Sequence, residues 1–123
     1  MARIVVIDDE ENIRFFVNEA LTAAGHEVVC ASDGNKGLQV IEQFKPDIVI
    51  TDILMPNKEG IETIPEIRLK YPEIKIIAMS GGGRIKGENY LKLAERLGTE
   101  GTLLKPFKIQ ALLDLVTGLI QVQ

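Results

Sequence analysis

The stretch Asp47-Ile48-Val49-Ile50-Thr51-Asp52-Ile53-Leu54-Met55-Pro56 decides how this chain is read. Ile48 to Ile50 is a short β-branched run, of the kind that forms a strand buried on both faces. The run stops at Asp52. Pro56 blocks any regular continuation, and Gly60 offers a turn before helical spacing resumes. Asp52 is therefore expected on a loop carried by a rigid strand, held by the sheet yet open to solvent. Open α/β sheets put their chemistry at such strand ends. Two further signals converge there. Asp8-Asp9 ends the apolar run Ile4-Val5-Val6-Ile7, and Lys105-Pro106 follows Leu103-Leu104.

Outward from that strand, the chain alternates. Ile4 to Ile7 reads as a first strand. Ile13, Phe16, Val17, Ala20, Leu21 and Ala24 then keep helical spacing until Gly25 stops it. Glu27 to Ala31 is a second strand. Asp33-Gly34 marks a turn, and Leu38, Ile41 and Phe44 give a short helix ended by Lys45-Pro46. Ile61, Ile64 and Ile67 predict a third helix, in which Pro65 is tolerable in or near the first turn. Ile74 to Met79 is a fourth strand that delivers Ser80 to its end. Gly81-Gly82-Gly83 interrupts all regular structure. Tyr90, Leu93, Ala94 and Leu97 resume helical spacing, Gly98 ends it, and Gly101 to Leu104 is a fifth strand. Ile109, Leu112, Leu113, Val116 and Ile120 form a final amphipathic helix.

Strand then helix, five times over, argues for a parallel sheet covered by helices on both faces. Right-handed crossovers leave few topologies. A five-stranded, doubly wound sheet in the order 2-1-3-4-5, a three-layer α/β sandwich, fits the count and the length. The 123 residues suit one domain, read as 1–123.

Composition excludes several classes of function. With 46% apolar residues the chain can build a core. A net charge of -4, with no basic run, argues against direct nucleic-acid binding. No apolar run is long enough to span a membrane, and Met1-Ala2-Arg3 leads straight into a strand, so a cytoplasmic protein without membrane insertion is expected. The single cysteine, Cys30, reads as a small core side chain. His26 reads as a solvated turn residue, a lone imidazole without a partner cluster in sequence.

In the order 2-1-3-4-5, strands 1, 3, 4 and 5 bring Asp8-Asp9, Asp52, Ser80 and Lys105 to one edge. Carboxylates this close raise one another's pKa unless a cation intervenes. A hard divalent ion such as Mg2+ meets that need with oxygen ligands. Lys105 adds a mobile positive charge suited to a phosphoryl oxygen, and Ser80 adds a hydroxyl donor. Metal, lysine, hydroxyl and carboxylate make a cradle for in-line phosphoryl transfer to a carboxylate. Singly, each residue has an ordinary reading: Asp8-Asp9 as a helix cap, Asp52 as a turn acid, Ser80 as a loop residue, Lys105 as a solvated charge. Their meeting at four strand ends of one fold favours the functional reading.

The motifs Val6-Ile7-Asp8-Asp9-Glu10, Thr51-Asp52-Ile53-Leu54-Met55-Pro56 with Gly60, Met79-Ser80 and Lys105-Pro106-Phe107 resemble those of the receiver domain of two-component response regulators. The resemblance covers essentially the whole chain and is nearest to a single-domain, chemotaxis-regulator-like receiver of flavodoxin-like (βα)5 architecture. It implies a signalling phosphoacceptor rather than an enzyme. Asp52 would take a phosphoryl group from a phosphohistidine on a sensor histidine kinase or a histidine phosphotransfer protein. Mg2+ would be held by Asp9, Asp52 and the backbone carbonyl of Leu54, with Asp8 helping through water. Ser80 and Lys105 would contact the phosphoryl oxygens, and the Lys105-Pro106 peptide would be cis. A downstream protein target would read the result on a face made by the fourth helix, fifth strand and fifth helix, the protein being a monomer or a phosphorylation-dependent dimer.

Two departures from the family matter. Thr102 stands where the family usually carries Tyr or Phe, so no large ring is available there to swing. The loop after Ser80 is rich in glycine. Switching is therefore expected to run through Ser80 into Gly81, Gly82 and Gly83, with Pro106 fixing the backbone beyond Lys105, and to move the helix around Tyr90 to Leu97. Other readings compete. One is a receiver cut from a longer DNA-binding regulator or hybrid kinase. An aspartyl-nucleophile phosphohydrolase would want Asp-x-Asp at the nucleophile strand, where Asp52 is followed by Ile53-Leu54. A flavin-binding module would want a Ser/Thr/Gly phosphate loop in place of Asp8-Asp9-Glu10.

Overall fold

The computed structural model describes residues 1–53, 60–81, 92–93 and 95–121. In these, strands β1 (Arg3–Ile7), β2 (Glu27–Ala31), β3 (Ile48–Asp52), β4 (Lys75–Ser80) and β5 (Gly101–Leu104) form one sheet in the order β2-β1-β3-β4-β5. Every pairing is parallel. Helices α1 (Glu11–Ala23), α2 (Gly34–Phe44) and α3 (Gly60–Lys70) and a C-terminal helix (Ile109–Gln121) connect and cover it. The expected topology is the one found.

The sheet is buried on both sides because its side chains alternate between two cores. Val5, Ile7, Val49, Ile76 and Ala78 point into one core with Ile41 of α2 and Ile64 and Ile67 of α3. Ile4, Val6, Ile48, Ile50, Ile77 and Met79 point into the other with Val17 and Leu21 of α1 and Leu112 and Val116 of the C-terminal helix. A run such as Ile48-Val49-Ile50 has no polar alternation because neither face of β3 meets water.

Three local expectations are revised. Gly34 does not belong to a turn; it is the first residue of α2, and Asp33 is the N-cap, its side chain accepting from the Lys36 N–H at 2.9 Å. Likewise, Gly60 starts α3, which places Pro65 inside the helix, past the first turn. The proline removes one rung of the helix ladder, but it is exposed, while Ile64 and Ile67 beside it are fully buried. Tertiary packing of that face outweighs the local penalty. His26 is half-buried, and its Nδ1 accepts from the Ala2 N–H at 3.0 Å, so it tethers the N-terminus. Burial, then the N-terminal ammonium, push this imidazole below its ordinary pKa. Cys30 is part-buried beside the second core, as expected, and burial pushes its thiol up.

Gly37 shows how close α2 sits to the sheet. A Cβ there would collide with Cδ1 and Cγ1 of Ile7, a fully buried side chain on β1. Gly37→Ala is expected to cost about 1–3 kcal/mol through overpacking, despite the better helix propensity of alanine. Urea unfolding would show a lowered midpoint, and an unchanged or raised midpoint would contradict this packing.

Candidate phosphoacceptor site

Sheet register builds the site. Ile7 on β1 pairs with Thr51 on β3, so Asp8 and Asp52, each one residue further, emerge side by side. The chain runs from β1 out to β2 and returns to β3 on the other side, so this is the edge where the sheet changes direction. Ser80, the last residue of β4, pairs with Leu104, and the Lys105 N–H donates to the Ser80 carbonyl at 2.7 Å. That bond delivers Lys105 to the same edge. Asp52 is itself the final residue of β3, paired with Met79, and is buried. The expectation of a loop position for it is off by one residue, because the β3–β4 ladder continues through it.

The Lys105 ammonium lies between the acids. Its Nζ is 2.7 Å from Asp8 Oδ2, 3.2 Å from Asp52 Oδ2 and 3.7 Å from Glu10 Oε1. The Asp8 side chain is fully buried. Burial raises its carboxyl above the usual carboxylate range, while the Lys105 bond and the Glu10 N–H, donating to Oδ1 at 2.9 Å, pull it back. For Lys105, burial alone would weaken the ammonium. The Asp8 hydrogen bond and the Asp52 charge outweigh it, so its pKa is raised. The ammonium thus does what the sequence assigned to a cation in general: it separates two buried like charges.

Asp9 is exposed, and its carboxylate groups with those of Asp8 and Glu10 within 4.8 Å. Such a set of hard oxygen donors fits Mg2+. Ser80 is buried at the same edge. Gly81 packs on the stem of Lys105: a Cβ there would come within 3.3 Å of Lys105 Cδ. The Lys105-Pro106 peptide is cis. Thr102 sits half-buried on β5, paired with Ala78. Leu54, Gly82, Gly83 and Tyr90 lie outside the described residues, and so do the readings placed on them.

Two residues at this edge escaped the sequence reading. Arg14, on the first turns of α1, donates from Nη1 to the Asp8 carbonyl at 2.8 Å and pins the turn that carries the acids. Its signal was present, an arginine five residues after Asp9 on the helix that opens beside the site, but the same spacing also suits a solvated charge. Glu10 was read only as part of an acidic run unsuited to a flavin phosphate loop, yet it reaches Lys105.

With this geometry in hand, comparison with known proteins is specific. A family model described as the response regulator receiver domain matches residues 4–117. A response regulator receiver domain protein from Clostridium thermocellum is 32% identical, superposes with a TM-score of 0.88, and is covered over 98% of this chain and 94% of that one. The receiver domain of NtrX from Brucella abortus is 30% identical, with a TM-score of 0.87 and coverage of 98% and 99%. In a longer NtrX structure the match still takes in 98% of this chain but 27% of that one. The chemotaxis response regulator CheY4 of Vibrio cholerae is 28% identical, with a TM-score of 0.85 and coverage of 97% and 98%. The family match begins within β1 and ends within the C-terminal helix, and the chain belongs to the receiver domains of response regulators, phosphoacceptor signalling domains that generally bind Mg2+.

Proposed function

We propose that Asp52 is the phosphoacceptor, that its donor is a phosphohistidine on a sensor histidine kinase or histidine phosphotransfer protein, and that residues 1–123 act as one receiver domain in the cytoplasm. The observation that carries this is the Lys105 ammonium held between Asp8 and Asp52 at the β1–β3 edge. An Asp52 carboxylate oxygen attacks the phosphorus, and the leaving group departs with the electron pair of the bond it breaks. Lys105 is already within hydrogen-bond reach of the nucleophile and can follow charge onto the phosphoryl oxygens. Ser80, the last residue of the neighbouring strand, would donate its hydroxyl.

Asp9 and Asp52, with the Leu54 carbonyl, would hold Mg2+, and Asp8 would assist through water. The ion supplies charge neutralisation for the clustered carboxylates and the incoming phosphoryl oxygens. Readout by a downstream protein target would use a face made by β5, the C-terminal helix and the fourth helix expected from the spacing of Tyr90 to Leu97, as a monomer or a phosphorylation-dependent dimer. Without a large ring at residue 102, movement of Ser80 into Gly81 and the glycines after it is the route we favour.

Acetyl phosphate and Mg2+ should add one phosphoryl group to the intact protein, and hydroxylamine should remove it, as it does an acyl phosphate. Chelating the Mg2+ should suppress the gain, and Asp9→Ala should shift the Mg2+ requirement upward by roughly tenfold or more. A hydroxylamine-resistant adduct would mark a serine or threonine ester and overturn the proposal. So would uptake indifferent to Mg2+.

A further inference from the structure

We propose that Glu10 is a specificity-determining residue of this site: its exposed carboxylate, 3.7 Å from the Lys105 ammonium, selects against small dianionic phosphoryl donors in favour of a protein donor that brings its own cation. The inference rests on Asp52 as the acceptor. Glu10 is the N-cap residue of α1, a position usually filled by a short side chain that accepts from the first helical N–H groups. Here the side chain makes no cap bond. The backbone does the local work instead: the Glu10 N–H donates to Asp8 Oδ1, and the Glu10 carbonyl accepts from the Arg14 N–H at 3.1 Å. The carboxylate is left to face the site, and it reaches Lys105 rather than its own helix.

The charges around it make that placement consequential. Asp8 and Asp52 are buried and share Lys105. Asp9 is the acid whose charge a bound metal would absorb. The Arg14 guanidinium donates from Nη1 to the Asp8 carbonyl and makes no ion pair with Glu10 among the described residues. Glu10 is loosely paired, its side chain 61% exposed. Glu10 stands in the same carboxylate group as Asp8 and Asp9, but with the metal taken by Asp9 and Asp52 its charge stays at the mouth of the site. An incoming anion meets that charge before it meets Lys105. Repulsion grows with the charge of the donor, so a dianion is penalised more than a monoanion. A protein donor with a lysine or arginine beside its phosphohistidine would convert the same carboxylate into a contact.

The test uses two small donors of different charge, acetyl phosphate as the dianion and phosphoramidate as the monoanion, at saturating Mg2+ and low ionic strength. Phosphorylation rates are followed by intact mass. Over a separation of about 7 Å in a water-like dielectric, Glu10→Gln should accelerate the acetyl phosphate reaction roughly 5–10-fold and the phosphoramidate reaction about 3-fold. Glu10→Lys should widen both gains, and both should fade towards unity in about 1 M salt. Equal acceleration of the two donors, acceleration that survives salt, or rates like the unsubstituted chain would overturn the inference. Asp52→Asn runs alongside. Phosphoryl uptake by that variant would remove the acceptor assignment, whereas an inert Asp52→Asn beside an unresponsive Glu10→Gln would remove the role of Glu10 alone.

Discussion

Asp52→Asn, incubated with acetyl phosphate and Mg2+, should gain no phosphoryl mass under conditions where the unsubstituted protein gains one group. The substitution is nearly isosteric, and an amide oxygen can still accept from Lys105, so the fold should persist. What it removes is the anionic nucleophile. The other carboxylates at the edge are poor substitutes. Asp8 is fully buried and held by both Lys105 and the Glu10 N–H, and Asp9 is the exposed acid better suited to metal. Removing a charge that faces Asp8 also relieves repulsion, so the loss of the Lys105–Asp52 pair should leave stability within about 1 kcal/mol of the original. Residual uptake at more than about one hundredth of the original rate would show that another residue accepts the group.

The second large effect is on stability. Lys105→Ala takes the only ammonium away from two buried carboxylates, among the described residues, and breaking a buried pair by removing one partner costs about 3–5 kcal/mol. The cost here should fall at or below the lower end, near 2–3 kcal/mol, because Asp8 can escape by binding a proton. That escape sets a pH dependence. In the variant the folded pKa of Asp8, already raised by burial, rises further above its unfolded value. A group with a raised folded pKa contributes its stability below the unfolded pKa and loses it as pH rises through the folded one. The deficit of Lys105→Ala should therefore be largest at neutral pH and shrink as the solution is made acidic. Adding Mg2+ should stabilise the variant more than the unsubstituted protein, since a cation is then missing from the site. Denaturant unfolding at several pH values, with and without Mg2+, measures all three effects. A variant as stable as the original at neutral pH without Mg2+ would show that Lys105 does not neutralise this pair.

Much of this was legible in the residues themselves. Uninterrupted β-branched runs, each followed by helical spacing, announced a parallel sheet, and the handedness of crossovers left few strand orders, the observed one among them. The acids and the lysine were visible because each terminates an apolar run, and apolar runs in such a sheet end on one edge. These features depend on periodicity and on chain ends, which are local properties.

What the local signals could not supply was distance between side chains far apart in sequence. Lys105 and Asp8 are separated by 97 positions, and their 2.7 Å contact exists because the β1–β3, β3–β4 and β4–β5 registers add up to bring them together. The same holds for Arg68 on α3, which grips Glu100 just before β5 at 2.7 Å. Pro65 sits mid-helix because buried Ile64 and Ile67 outweigh its local cost, and His26 leaves solvent because Ala2 lies beside it. The sequence by itself determined the fold class, narrowed the strand order to a few and indicated which residues share an edge. Only the tertiary structure decided that Lys105 rests between Asp8 and Asp52, that Arg14 pins the acidic turn and that Glu10 turns away from its helix towards the lysine. Side-chain partners are chosen by packing and charge across the sheet, and no short-range pattern encodes that choice.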